Sequence, residues 1–175
     1  MVSAADATKT MVTTSKLAKN DDPYHIIQRI LAEAIEVKSE STDDTARATL
    51  CEELQKAEET ANSQKEERRD FWSRANVADC VLVRALLDHN LEAQVDTIVK
   101  LYREAQSRGA SLREWRSIVE NLDFIRRFVR AQWKAEDQTR VLPALRSIYE
   151  KLEFFLDERN GSSAPQGRRT RPRRR

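Results

Sequence analysis

One periodic pattern constrains the fold of this chain more than any other feature. From about Asp43 to Ala85, small, apolar and a few polar residues recur in alternating steps of three and four positions. They are Leu50, Leu54, Ala57, Ala61, Gln64, Arg68, Phe71, Ala75, Ala78, Leu82 and Ala85. Residues with this spacing share one face of an α-helix. Sustained over so many turns, the pattern predicts a single long helix in coiled-coil-like packing, about 65–70 Å long at 1.5 Å per residue.

The seam formed by these residues is uneven along its length. It is small at Ala57 and Ala61 and polar at Gln64 and Arg68, whereas the segment from 71 to 87 is strongly apolar. The stretch "EELQKAEETANSQKEERRD" is therefore either a solvated arm, which is the safer interpretation, or a closely packed alanine seam. Because the seam is longer than one small core can cover, it also predicts a homo-oligomer or a helical protein partner.

The composition agrees with an all-α fold. Hydrophobic residues make up 39% of the 175 and charged residues 34%, while glycine and proline occur only three and four times. This balance is typical of long helices rather than of sheets and turns, and the length fits one domain. We therefore predict an elongated antiparallel helical bundle over residues 22–159, between a disordered N-terminus (1–21) and a disordered arginine-rich tail (160–175).

Local signals mark where several helices begin and end. Asp22 before Pro23 predicts a first helix with an acidic N-cap and proline at its first position. Asn90 is expected to cap a helix that Gly109 closes. The sequence "SLRE", Ser111–Glu114, predicts a capping box, in which the serine and glutamate side chains bond each other's backbone N–H groups.

The helix after this capping box has two different faces. Its apolar stripe, which we expect to be core, consists of Trp115, Ile118, Val119, Leu122, Ile125, Val129 and Trp133. The opposite side carries Arg113, Arg116, Arg126, Arg127, Arg130 and Lys134. A last helix is expected from about Thr139 to Arg159, with Pro143 in its first turn and "NG" at Asn160 as its end.

No pattern of catalytic or metal-binding residues is present in the sequence. With two histidines and three glycines, the chain has no nucleophile paired with a base, no metal-ligand spacing and no phosphate-binding loop. Cys51 and Cys80 stand far apart without neighbouring ligands, which favours a reducing compartment over a zinc site or disulfide framework. We predict that the protein is not an enzyme and needs no cofactor.

Charge is distributed unequally along the chain. Residues 43–99 carry 7 basic and 13 acidic side chains, whereas residues 100–159 carry 13 basic and 10 acidic ones. The tail adds six arginines and no acid: Arg168, Arg169, Arg171, Arg173, Arg174 and Arg175. Such asymmetry predicts either a polyanionic partner or pairing between acidic and basic surfaces.

These arginines and four helical residues form the predicted nucleic-acid-binding set. The helical residues, called the basic face below, are Arg126, Arg127, Arg130 and Lys134. Like charges at four-residue steps repel, so either a bound anion or the acidic second helix is expected to neutralise them. The arginine side chain binds phosphates bidentately and stacks on bases, which favours RNA over DNA as partner of the tail. A nuclear localisation signal on an adaptor subunit is the rival interpretation, and a membrane-surface anchor is less favoured.

The remaining predictions concern the burial of the tryptophans and the location of the protein in the cell. Trp115 and Trp133 lie in the apolar stripe, and Phe71 and Trp72 begin the densest apolar segment, so we predict core positions rather than a base-stacking surface. No apolar run approaches the ~20 residues that cross a bilayer, and the first 20 residues lack the apolar centre of a secretory signal. We expect an intracellular protein, cytoplasmic or nuclear or both.

Overall fold

The computed structural model describes residues 23–40, 44–68 and 70–161, and within these ranges the chain forms six α-helices and no β-strand. The helices are α1 (Pro23–Glu40), α2 (Asp44–Arg68), α3 (Phe71–Leu87), α4 (Leu91–Gln106), α5 (Leu112–Gln132) and α6 (Ala135–Gly161). Their apolar faces meet in one hydrophobic core. The prediction of an all-α helical bundle is confirmed.

Helices α2 and α3 form an antiparallel hairpin. Arg84 of α3 donates to Glu58 in the middle of α2 at 2.7 Å, and Arg47 near the start of α2 lies 3.6 Å from Asp88, just after α3. Residues at the start of one helix thus face the end of the other. This arrangement brings the two halves of the seam together within one chain.

The predicted single long helix is therefore not confirmed, because the seam is divided between α2 and α3. Asp70 acts as the N-cap of α3, and its Oδ1 accepts a hydrogen bond from the backbone N–H of Ser73 at 2.7 Å. Ala57 and Ala61 of α2 are buried, so their stretch is the closely packed alanine seam and not the solvated arm. Folding back buries both apolar faces at once, whereas a continuous helix would leave them to another chain.

Helix α3 lies at the centre of the bundle. It packs against α1, α2 and α4 and is buried along almost its whole length. Ala75 and Ala78, both fully buried, allow neighbouring helices to approach closely. Three polar residues are buried on the same helix: Ser73, Asn76 and Asp79.

Helices α5 and α6 form a second antiparallel pair. The apolar stripe of α5 is core, as predicted, with Trp115 and Trp133 both buried. The indole of Trp115 donates a hydrogen bond to the backbone carbonyl of Leu152 at 3.1 Å. Leu152 of α6 therefore lies beside the N-terminal turn of α5, and α6 continues beyond it to Gly161.

The signals around α4 and α5 act largely as predicted. The Ser111 hydroxyl accepts from the Glu114 N–H at 3.2 Å while the Glu114 carboxylate accepts from the Ser111 N–H at 2.7 Å, which confirms the capping box. Gly109 closes α4 with φ +99°, a conformation that favours glycine. Asn90 precedes α4, but its side chain makes no capping hydrogen bond.

The start predicted for the last helix is wrong. Helix α6 begins at Ala135 instead of Thr139, because the carbonyl of Lys134 accepts from the N–H groups of Asp137 and Gln138 at 3.1 and 3.0 Å. Pro143 thus lies inside the helix, where it has no N–H to offer the carbonyl of Thr139. The exposed position of Pro143 makes this tolerable, since water is available to that carbonyl.

Some predictions concern residues outside the described ranges. These are the N-terminus 1–21 with the Asp22 cap, and the arginine tail from residue 162 onward; residues 160 and 161 belong to α6. The homo-oligomer and the helical protein partner stay predictions. Their original motive is weaker, however, because the seam is covered by helices of the same chain.

Candidate functional site

The basic face lies only partly opposite the buried stripe of α5, because Arg127 and Arg130 are exposed whereas Arg126, contrary to the prediction, is half-buried against α6. Asp123 accepts from both Arg126 and Arg127, each at 2.6 Å. One carboxylate thus serves two guanidinium groups, and it comes from α5 itself. Because one negative charge faces two positive ones, the basic face keeps a surplus of positive charge.

The two arginines differ in what they can offer a ligand. The Arg126 guanidinium lies over the Tyr149 ring of α6, 4.8 Å from its centroid, and only 26% of its side chain is exposed. Its Nε is buried without a hydrogen-bond partner among the described residues. Arg127 is 77% exposed and free to reach outward. Arg126 therefore mainly ties α5 to α6, whereas Arg127 is available to solvent.

Arg130 and Lys134 are the least neutralised members of the basic face. Both are exposed, and no acidic side chain within the described ranges forms an ion pair with either. Arg130 lies in the last turn of α5, where the helix dipole favours a cation. Lys134 lies just beyond α5, in the connection that starts α6, and not on the helix itself. The two cations thus lie at the junction of α5 and α6.

Two acids of α2 form ion pairs with other helices. Glu53 pairs with Arg29 of α1, and Glu58 pairs with Arg84 of α3. Among the described ion pairs none joins α2 to the basic face. These contacts therefore do not support neutralisation of this face by the acidic second helix of the same chain, and neutralisation by that helix of another subunit stays a prediction.

The six arginines of the tail lie outside the described residues. Their starting point is nevertheless defined, because α6 passes the N-terminal turn of α5 at Leu152 and continues for nine residues to Gly161. Arg127, Arg130 and Lys134 belong to the other end of α5, roughly 20 Å away at 1.5 Å per residue. The tail and the basic face are thus attached at opposite ends of the α5–α6 pair.

A second surface, which the sequence interpretation missed, is a cleft of about 520 Å³ at the end of the bundle where α2 ends and α3 begins. For brevity it is called the Trp72 cleft. Its lining residues are Tyr24, Gln64, Arg68, Asp70, Trp72, Ser73, Asn76 and Ser117. They come from α1, α2, α3, α5 and the turn before α3. The cleft is therefore built by the folded bundle and not by one helix.

Aromatic rings line part of this cleft. Trp72 is 38% exposed and Tyr24 40% exposed, and their rings meet edge to face with centroids 6.5 Å apart. The pKa of Glu114 is lowered, first by the hydrogen bond from the Ser111 backbone and also by one from the Trp72 indole.

The core position expected for Trp72 is wrong, although Phe71 beside it is buried. Phe71 belongs to the seam that continues through Ala75 and Ala78, whereas Trp72 points about 100° away from this seam in the first turn of α3. This angle is the signal in the sequence that distinguishes them.

Asn76 gives the cleft a buried polar group. The residue is only 4% exposed, and its Oδ1 is buried without a hydrogen-bond partner among the described residues. Buried polar atoms in folded proteins almost always have such a partner. Asn76 is among the lining residues of the cleft, so a change of its side-chain rotamer would be needed to turn this oxygen toward a ligand.

Other kinds of site find little support in the described part of the chain. No group of three or more His, Cys, Asp or Glu residues there is arranged to hold a metal ion. Burial raises the pKa of the Cys80 thiol, which keeps it protonated, and both cysteines are free. None of the described helices is both long and apolar enough to span a membrane.

Two surfaces therefore remain as candidates for binding, the basic face and the Trp72 cleft. They are joined by α5, which carries Arg127 and Arg130 toward one end and Ser117 toward the other. Comparison of the chain with protein-family models, with curated proteins and with solved structures finds no match in any of the three.

Proposed function

We propose that this protein is a non-enzymatic helical binding protein that engages nucleic acid, RNA in preference to DNA, without reading its sequence. The observation that carries the proposal is the surplus of exposed positive charge on the basic face. Arg130 and Lys134 have no acidic partner among the described residues, and Arg127 shares its only one with Arg126. Phosphates of a nucleic-acid strand would supply the missing negative charges, and the release of their counterions would drive binding.

The dimensions of the basic face suit a phosphate backbone. The stretch from Arg127 to Lys134 covers roughly 10 Å, if each residue advances about 1.5 Å as in a helix. One strand of a duplex carries a charge for about every 3.4 Å of axis, so three cations match about three phosphates. Contacts of this kind fix position and affinity but carry no sequence information.

The arginine tail extends the same chemistry. All six of its basic residues are arginines, whose planar group binds a phosphate bidentately and stacks on exposed bases. Bases are most exposed in single-stranded RNA, which is the reason for placing RNA first. Because the tail and the basic face are attached at opposite ends of α5, they would contact different nucleotides of one strand.

The rival proposal is an adaptor subunit whose tail acts only as a nuclear localisation signal. It is favoured by four large hydrophobic side chains that are exposed in the monomer: Tyr24, Trp72, Leu112 and Phe154. Exposed apolar groups of this size are found where proteins dock, including on further copies of the same chain. Light scattering over a wide concentration range would detect such self-association.

The proposal is tested by binding of the purified full-length chain to fluorescent single-stranded RNA, with single-stranded DNA and duplexes as competitors. A variant with Arg127, Arg130 and Lys134 changed to glutamine should bind the RNA more weakly. Its matched control removes three charges that already have acidic partners, by Lys100→Gln, Arg146→Gln and Lys151→Gln. Equal losses in both variants would show that only net charge matters and would refute a site on the basic face.

A further inference from the structure

We propose that the Trp72 cleft accommodates one unstacked nucleobase of a bound single strand. This inference rests on the proposed function for its biological ligand, although the cleft itself can be tested with compounds that carry no phosphate. Its volume of about 520 Å³ lies within the usual range of small-ligand sites. Three features of its lining favour a base over other occupants.

The first feature is the aromatic pair. Trp72 and Tyr24 present rings that are inclined to each other by 68°, so a planar ligand can stack on one ring while the other contacts its edge. Stacking of a base on an aromatic side chain is the commonest way in which proteins hold single strands. The Trp72 ring also meets the buried Phe71 ring edge to face, with centroids 4.9 Å apart, which helps to position it before any ligand arrives.

The second feature is the amide of Asn76. Its Oδ1 lacks a hydrogen bond, and the residue is 4% exposed, so no other described group and little water satisfies it. An asparagine amide carries both an acceptor and donors, and a half-turn of the amide exchanges them. The edge of a nucleobase offers the same combination of donors and acceptors in one plane, and asparagine pairs with such edges.

The third feature is the polar and charged remainder of the lining. Gln64 and Ser117 add neutral hydrogen-bonding groups, and Arg68 adds a cation for the phosphate attached to the base. Asp70, which would repel that phosphate, already accepts from the Ser73 N–H as the cap of α3. A phenylalanine or leucine side chain from a protein partner would leave these polar groups unpaired, which disfavours it as occupant.

The position of the cleft agrees with this role. Ser117 of its lining lies one turn beyond the capping box of α5, and α6 runs antiparallel to α5, with Leu152 against Trp115 and its last nine residues directed toward the same end of the bundle. The arginine tail therefore begins at the end of the bundle that contains the cleft. A strand whose base occupies the cleft would have its neighbouring phosphates within reach of tail arginines.

The test measures binding of the four uncharged ribonucleosides to the full-length chain by NMR line shifts and calorimetry. We expect saturable binding of at least one nucleoside. Trp72→Ala should weaken it about tenfold or more, as expected for loss of a stacking partner. Asn76→Leu should weaken it similarly, because leucine keeps the branched shape and removes the amide, and the melting temperature of this variant is measured alongside because leucine is larger than asparagine. Phe154→Ala is the matched control, an exposed aromatic residue outside the cleft lining, and should leave the affinity unchanged.

Three results would overturn the inference. They are absence of saturable binding by every nucleoside, an equal loss in the Phe154 variant, and equally tight binding of N-acetyltryptophanamide, which would identify a protein side chain as the occupant. Because nucleosides carry no phosphate, their binding does not depend on the basic face or the tail. If nucleosides bind the cleft while RNA affinity is unchanged by loss of the arginines, the cleft stands and the proposed function fails.

Discussion

The hydroxyl of Tyr102 in α4 donates a hydrogen bond to the carboxylate of Asp79 in α3, and both side chains are buried. Burial raises the pKa of Asp79 to about 6, although the hydrogen bond from Tyr102 lowers it. The ordinary value is 3.8, so the folded protein retains this proton over a range in which the unfolded chain has lost it. The pair joins two helices of the core and couples their stability to pH.

The first prediction concerns this pH dependence. The raised pKa means that the native state binds more protons than the unfolded state between about pH 4 and 6, so the Asp79 contribution to unfolding free energy falls as pH rises. The fall amounts to about 3 kcal/mol by pH 7, at 1.36 kcal/mol per pKa unit. In Asp79→Asn this contribution is absent. Urea melts should therefore show the variant gaining about 3 kcal/mol on the wild type between pH 4 and pH 7.

Comparing the two proteins at each pH cancels the other titrating groups. Tyr102→Phe provides the control, because loss of the hydroxyl donor should raise the Asp79 pKa further and extend the fall to higher pH. A stability difference between wild type and Asp79→Asn that stays constant with pH would contradict the assigned role of Asp79.

The second prediction concerns the start and the core of α5. Ser111→Ala removes the N-cap acceptor and should lower the unfolding free energy by about 1 kcal/mol. Ser111→Asp keeps an acceptor there and should remain close to the wild type. Leu122→Ala leaves a cavity in place of a fully buried side chain and should lower the unfolding free energy by about 2–5 kcal/mol. Denaturant melts that rank the two alanine variants in the opposite order would count against this account of α5.

The third prediction concerns the proline within α6. Pro143→Ala restores an N–H for the Thr139 carbonyl and should raise the unfolding free energy by about 1–3 kcal/mol, since proline is the poorest residue in a helix interior. Pro143→Gly restores the same donor but should gain about 1 kcal/mol less than alanine. Thermal and urea melts would measure both. A loss of stability in the alanine variant would place Pro143 outside a regular helix.

Much of the fold could be predicted because the spacing of apolar residues within a helix indicates which of its faces is buried. Consecutive members of the stripe from Trp115 to Trp133 lie no more than four positions apart, and the two residues of the capping box at Ser111 lie three apart. Both predictions are confirmed. The break at Asp70 is different. Helical periodicity continues through it, and only the packing of α2 on α3 decides that the chain turns back.

The candidate sites also combine features that could be predicted from one helix with features that depend on the packing of several helices. Exposure of Arg127 and Arg130 could be predicted from the helical wheel, but the burial of Arg126 against Tyr149 and the shared use of Asp123 depend on side-chain geometry and on α6. The Trp72 cleft gathers residues from four helices that lie up to 93 positions apart, from Tyr24 to Ser117. No local pattern in the sequence brings these residues together.

The central claim is that arginine and lysine side chains of this protein neutralise nucleic-acid phosphates, and the most direct measurement is the salt dependence of RNA affinity. Each neutralised phosphate adds about 0.7 to the slope of log affinity against log salt on a single strand. Three proteins are compared: the full chain, the chain ending at Gly161, and the full chain with Arg127, Arg130 and Lys134 changed to glutamine. All three should have the same melting temperature.

We predict that truncation lowers the slope by at most about 4, the limit for six contacts, and that the glutamine variant lowers it by at most about 2, the limit for three. A fourth protein, in which the six tail arginines are changed to lysines, distinguishes the effect of charge from that of the arginine side-chain geometry. Retained affinity would indicate plain electrostatics, and a clear loss would indicate bidentate contacts or stacking. Slopes and affinities that are the same for the full chain, the truncated chain and the glutamine variant would contradict the claim.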